Sequence, residues 1–206
     1  MKMTNVKEFL FAVALILAVM SSNLVFSHEV ENNSSDDSHR GIFMGINVGG
    51  GQSAYGFSEG SRNIIDEGID GVMGGLRFGY SFSNTFALSL EGFGFGPSDC
   101  DDENEEIGFG AGFLAATWHP GGHRFFLRTG LGAGGGNIIH PQSGDYVEIR
   151  DRAAFLFSLG YDWRLNNSLT LGFSLDSMVI DAGNVIGPGD DYLGSSSLAI
   201  QFNWYL

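Results

Sequence analysis

Residues 152–165 read RAAFLFSLGYDWRL. Phe155, Phe157, Leu159, Tyr161 and Trp163 fall at every second position, with Ser158, Gly160, Asp162 and Arg164 alternating on the other face. A period of two is the pattern of a strand with one apolar and one polar or small face. The apolar face carries only bulky side chains, as lipid contact demands, and the run exceeds the roughly 9 to 11 residues a tilted strand needs to cross a bilayer.

The same alternation recurs from residue 41 onward in eight segments: 41–50, 72–82, 85–95, 108–118, 124–134, 152–165, 169–179 and 196–206. Ile42, Met44, Ile46 and Val48 share one face of the first segment, and Leu198, Ile200, Phe202 and Trp204 one face of the last. The fourth segment is less decisive, because Gly and Ala occupy both of its faces. Ser83-Asn84, Pro120-Gly121-Gly122 and Asn166-Asn167 are tight turns, whereas the segments near 51–71, 96–107, 135–151 and 180–195 are long, polar and acidic. Outer-membrane barrels alternate short periplasmic turns with longer external loops. No apolar run of membrane-helix length follows residue 27, so any crossing is made by strands. The predicted fold is all-β: an eight-stranded antiparallel up-and-down transmembrane β-barrel over residues 41–206. Its even strand count puts both barrel ends of the chain on the periplasmic side.

Composition agrees. The 206 residues include 32 Gly and 18 Phe, a pairing that suits close backbone packing within a barrel and aromatic side chains toward lipid. Lys2 and Lys7 followed by the apolar run 9–20 and by Val25-Phe26-Ser27 read as an export signal over residues 1–27. Residues 28–40 read as an acidic flexible linker. Removing Lys2, Lys7 and Glu8 from 10 basic and 24 acidic residues leaves 8 against 23, a net charge of −15 with no lysine. So acidic a surface argues against nucleic acid as a partner and is compatible with divalent cations or basic partners.

The three tryptophans, Trp118, Trp163 and Trp204, lie at strand ends nearest the tight turns or the C-terminus. With Tyr80, Phe82, Phe86, Phe125, Tyr161 and Tyr205 they are expected to form one interfacial aromatic girdle. Residues 41–206 resemble the superfamily of eight-stranded outer-membrane barrels that includes the OmpA transmembrane domain, OmpX, OmpW and the opacity proteins. The ending Phe202-Asn203-Trp204-Tyr205-Leu206 is similar to the final strand that barrel assembly machinery recognises in that superfamily, although its members usually finish in Phe or Trp. The resemblance implies a Gram-negative outer membrane as the address, with outer-membrane lipids and lipopolysaccharide as surroundings.

Arg77, Glu91, Arg128, Asp162, Arg164 and Asp176 fall on inward faces, three of each sign. Eight strands enclose a space just wide enough for side chains to fill. A balanced set at that width reads as a salt-bridged plug, because an unpaired buried charge is costly; an ion or proton path is the competing reading. The similar polar plug of the OmpA domain implies the same balance.

Asp99, Asp101, Asp102, Glu103, Glu105 and Glu106 surround Cys100 in one long loop. Such density suits loosely held Ca²⁺ or Mg²⁺, including ions shared with lipopolysaccharide phosphates, but lacks the spacing of an EF-hand, and no other cofactor is expected. The lone Cys100 allows no intramolecular disulfide, and its acidic neighbours disfavour the thiolate. Some eight-stranded barrels are lipid A-modifying enzymes, which need Ser, His and an acid held together. His119 and His123 flank a tight turn, His140 lies in a long loop, and His28 and His39 precede the barrel, so that constellation is missing. The glycines of 130–136 lack a following helix for nucleotide binding and read as close packing in the lumen. A soluble lipid carrier would leave the inward charges in water and the girdle unexplained. The expected role is therefore non-enzymatic, structural or surface-interactive, with host or surface ligands met through the loops. A narrow pore for small or hydrophobic solutes is the alternative.

Overall fold

A computed structural model describes residues 40–59, 62–65, 69–97, 108–139, 146–166, 168–183 and 191–206. The expected signal segment 1–27, the linker up to residue 39, the acidic loop with Cys100, and His140 lie outside them. Among the described residues nine strands form one antiparallel sheet: β1 (Gly41–Glu59), β2 (Arg62–Ile65), β3 (Ile69–Ser81), β4 (Phe86–Pro97), β5 (Gly108–Trp118), β6 (Phe125–Ile139), β7 (Tyr146–Arg164), β8 (Leu169–Gly183) and β9 (Asp191–Tyr205). β1 pairs with β3, each later strand pairs with the next in sequence, and β1 pairs with β9, closing eight strands into an up-and-down barrel. The short β2 extends the end of β1, pairing Gly56 with Ile65 and Glu59 with Arg62.

The register fixes the barrel's dimensions. Stepping across partners from Gln52 through Ser196, Ser177, Phe157, Thr129, Ala116, Leu88 and Tyr80 returns to β1 at Ile42, ten residues lower. Eight strands with that stagger tilt by about 41° from the barrel axis, given roughly 4.8 Å between strands and 3.4 Å per residue. Ten residues at that tilt climb about 25 Å, the height of the apolar band of an outer-membrane barrel.

The outer surface is apolar over that height. Ile46, Leu76, Leu90, Leu114, Leu131 and Leu198 are each more than half exposed. Near the short turns, Tyr80, Phe82, Phe86, Trp118, Trp163 and Trp204 stand exposed, with Tyr161 half-buried beside Trp163, its ring centroid 5.1 Å away. By the stagger all of these fall within about 8 Å of one another in height. Tyr205 is a correction to the expected girdle: it faces inward, 5.5 Å from the Phe43 ring, because it shares the parity of the buried Asn203 and Gln201. At the opposite edge Gln52 donates to Asp70 at 2.9 Å, and Asp151 and Asp181 are exposed, so polar groups bound the band there.

Seven of the eight predicted strands fall short at their long-loop ends; only 108–118 matches. Beyond the apolar band nothing requires alternation, so the strands continue in sequence that no longer shows a period of two. Two bulges also reverse it. Gly134 pairs with Arg152 and Gly136 with Ile149, so Gly135 alone opposes Arg150 and Asp151. Asp151 takes φ 52°, in the left-handed region that Asp tolerates. Below the bulge Ala154, Leu156 and Ser158 face inward; above it Ile149 does, while Glu148 and Arg150 point out. In a regular strand of the same sequence, without the bulge, the two charged side chains would enter the interior. The second bulge places Ala182 between the paired Asp181 and Gly183.

Candidate functional site

The interior is built in two layers. Toward the short turns it is polar, and Arg128 on β6 is its centre, 1% exposed. Its Nη2 meets Asp176 Oδ1 at 2.9 Å and its Nε lies 3.5 Å from Glu91 Oε2. Both nitrogens also donate to Ser158 Oγ, at 3.1 and 3.3 Å. Its guanidinium carbon sits 5.4 Å from the Phe126 ring centroid and 5.8 Å from that of Phe93. The aromatic faces and carboxylates replace most of the water that a buried guanidinium gives up, while Arg128 Nη1 and Glu91 Oε2 find no hydrogen-bond partner among the described residues.

The carboxylates are held in turn. Asp176 accepts from Asn47 Nδ2 at 3.0 Å and Ser174 Oγ at 2.9 Å, and Glu91 accepts from Ser89 Oγ at 2.6 Å. A second chain runs beside the first: Arg77 Nη2 donates to Gln201 Oε1 at 2.7 Å, and Gln201 Nε2 donates to Asp162 Oδ1. Gln201 thus joins a cation to an anion through its two ends. His119 Nε2 lies 3.8 Å from Asp162 Oδ2 at the mouth. Arg164 stands half-buried at the end of β7, where its Nε donates to Asn166 O at 3.3 Å.

Five of the six expected lumen charges, Arg77, Glu91, Arg128, Asp162 and Asp176, are therefore inward and buried. Asn47, Ser89, Ser158, Ser174 and Gln201 were missed as members, although the alternation already put them on inward faces. Partnership is invisible at that level, since Asn47 and Asp176 are 129 residues apart in sequence. Beside this network Arg77, His119, Asp162, Gln201, Asn203 and Tyr205 line a small cavity. Its volume of about 10 Å³ is enough for roughly one water.

The second layer, toward the long loops, is mainly apolar and was not expected; Ser53, Asp191, Ser195 and Ser197 are the polar side chains buried with it. Met73, Phe93, Phe95, Phe109, Phe113, Ile149, Leu156, Met178, Ile180 and Leu193 form one buried cluster. Phe95 and Phe109 stack at 5.3 Å, and Phe93 meets Phe113 edge-on at 6.1 Å. Outward, the same part of β4 and β5 carries Gly92, Gly94, Gly110 and Gly112. The aromatic side chains sit inside and hydrogen atoms outside, which settles the face of β5 that alternation left open. Inward glycines elsewhere make room: a Cβ on Gly132 would overlap the Gly112 carbonyl, as close packing of the lumen requires.

No family model matches the chain, and no curated protein matches it in sequence. Solved structures do match in fold. Neisserial surface protein A is 9% identical over 79% of this chain and 97% of its own, with a TM-score of 0.52. Ail of Yersinia pestis, in complex with the heparin analogue sucrose octasulfate, is 16% identical over 79% and 99%, at 0.46. The outer membrane protein OprG of Pseudomonas aeruginosa is 15% identical over 82% and 98%, at 0.47. At 9% identity the first of these speaks for the fold alone, and that fold is the closed eight-stranded barrel.

Proposed function

We propose that this chain is a closed, non-enzymatic barrel of a Gram-negative outer membrane, serving envelope structure and surface interaction through its long acidic loops. The filled interior carries this reading. An ion following the lumen meets first a buried, hydrogen-bonded cluster around Arg128, in which two arginines face three carboxylates instead of the expected three and three, and then a layer dominated by Phe, Met, Leu and Ile. The first has room beside it for roughly one water, and in the second the buried Ser195 and Ser197 turn their hydroxyls onto Met73, so each is a barrier. This favours a plug over the pore and over the ion path.

In this reading the short turns and both barrel ends face the periplasm, residues 1–27 direct export, and barrel assembly machinery reads the C-terminal strand. Asp99, Asp101, Asp102, Glu103, Glu105 and Glu106 share Ca²⁺ or Mg²⁺ with lipopolysaccharide phosphates, and host or surface ligands meet the same loops. Nucleic acid is not a partner, on the ground of charge.

Two measurements test it. The full chain expressed in a Gram-negative host should fractionate with outer membranes and migrate differently on gels before and after boiling. The purified barrel in planar bilayers should stay electrically silent. A soluble product sinks the membrane reading, and steady unitary currents sink the plug.

A further inference from the structure

Each tryptophan of the girdle has a sequence neighbour that turns inward and carries an atom able to ligate a metal. His119 follows Trp118 in extended backbone, with φ −106° and ψ 99°. Asp162 precedes Trp163, and Asn203 precedes Trp204. The tryptophans are exposed, whereas Asp162 and Asn203 are buried and His119 is half-buried. The three inward residues therefore share one level of the barrel, within about 3 Å in height by the stagger. Because β5, β7 and β9 are alternate strands, they reach the short-turn mouth from three sides.

There they line one cavity of about 10 Å³, room for roughly one water or one small ion. His119 Nε2 and Asp162 Oδ2 stand 3.8 Å apart. That is too long for a hydrogen bond, and it suits two ligands held about 2.1 Å from one metal ion. Asn203 supplies a separate sign. Its Nδ2 donates to Thr170 Oγ1 at 3.0 Å, which fixes the amide, while its Oδ1 finds no hydrogen-bond partner among the described residues although Asn203 is only 3% exposed. A buried acceptor in that state calls for a water or an ion. Arg77 lines the cavity too, but its Nη2 is turned to Gln201, and the network sets two arginines against three carboxylates, so a cation at the mouth meets excess negative charge.

The geometry points to a site for one Zn²⁺-like divalent cation at the short-turn mouth, ligated by His119 Nε2 and Asp162 Oδ2, with Asn203 Oδ1 facing it from the third side. Imidazole beside carboxylate suits such a cation better than Ca²⁺ or Mg²⁺, which take oxygen ligands. No third histidine, cysteine or carboxylate joins the pair among the described residues, so water from the mouth completes the shell. Gln201 Nε2 donates to Asp162 Oδ1 and so leaves Oδ2 as the atom presented to the metal.

The test uses the full chain refolded in detergent, stripped of metal by chelator, and titrated calorimetrically with Zn²⁺ in excess Ca²⁺, which occupies the acidic loops. Heat-modifiable migration verifies that each variant folds. Wild type and His123→Gln should bind one equivalent, and His119→Gln and Asp162→Asn should bind it roughly tenfold more weakly or worse. A second readout is spectroscopic. In a Cys100→Ser background, His119→Cys loaded with Co²⁺ should show a thiolate-to-cobalt charge-transfer band, and His123→Cys should not; an ion pair between His119 and Asp162 alone predicts no such band. Absence of Zn²⁺ binding by wild type overturns the proposal, as does equal affinity in His119→Gln, suppression of the site by Ca²⁺, or an equal cobalt band from His123→Cys.

Discussion

Replacing Arg128 by Met is the perturbation that most directly tests the interior. The side chain is of similar length and apolar, so it fills much of the space and isolates the charge. It removes the contacts at 2.9 Å to Asp176 and 3.5 Å to Glu91, together with the Ser158 bonds and the two aromatic faces. Asp176 is 0% exposed and Glu91 4%, so neither carboxylate can recover solvent. Removing one partner of such a pair costs about 3 to 5 kcal/mol, and the lost aromatic contacts add about 1 more. We expect a loss of about 5 kcal/mol, read as the urea midpoint of reversible folding into lipid vesicles and as a lower temperature for the gel-mobility shift. Most of this is the penalty of stranded negative charge. Adding Glu91→Gln and Asp176→Asn to Arg128→Met should therefore recover more than half of it, a non-additivity that independent sites do not show. A single variant within about 1 kcal/mol of wild type would mean that the cluster is hydrated, and the plug argument would fail with it.

Arg128→Ala should remain electrically silent in planar bilayers, because Phe93, Phe113, Leu156 and Met178 still close the upper layer; currents from this variant alone would show that the apolar layer does not seal. Gly92→Ala should stabilise the barrel by about 0.5 to 1 kcal/mol, whereas Gly132→Ala should destabilise it by more than about 2 kcal/mol. Vesicle unfolding distinguishes them, and equal effects would refute the assignment of inward and outward faces. Variants retaining only Trp118, Trp163 or Trp204 should be quenched alike by shallow brominated lipid and weakly by deep bromines; unequal depths would break the single girdle.

Residues 152–165 and their relatives along the chain were enough to fix the strand count, the closed barrel, and the short-turn end as the aromatic end. Each follows from a constraint that acts on single positions: lipid on one side demands apolar side chains at every second residue. The inward placement of Arg77, Glu91, Arg128, Asp162 and Asp176 was legible for the same reason. The partners were not, because register is set by stagger around a closed sheet, and only closure brings Asn47 to Asp176 or Gln201 between Arg77 and Asp162. The strand extensions and the bulge at Asp151 escaped because no lipid enforces alternation there and one extra residue inverts the parity. The apolar upper layer escaped although Phe93 and Phe95 share the inward parity of Glu91 on β4, because Gly and Ala on both faces of β5 left Phe109 and Phe113 unassigned. The sequence alone determined which side chains alternate, Phe93 and Phe95 with the inward Glu91 among them; only the tertiary structure, by closing the sheet, decided that Phe109 and Phe113 turn inward and pack against Phe95 and Phe93 to fill the barrel while the glycines between them face out.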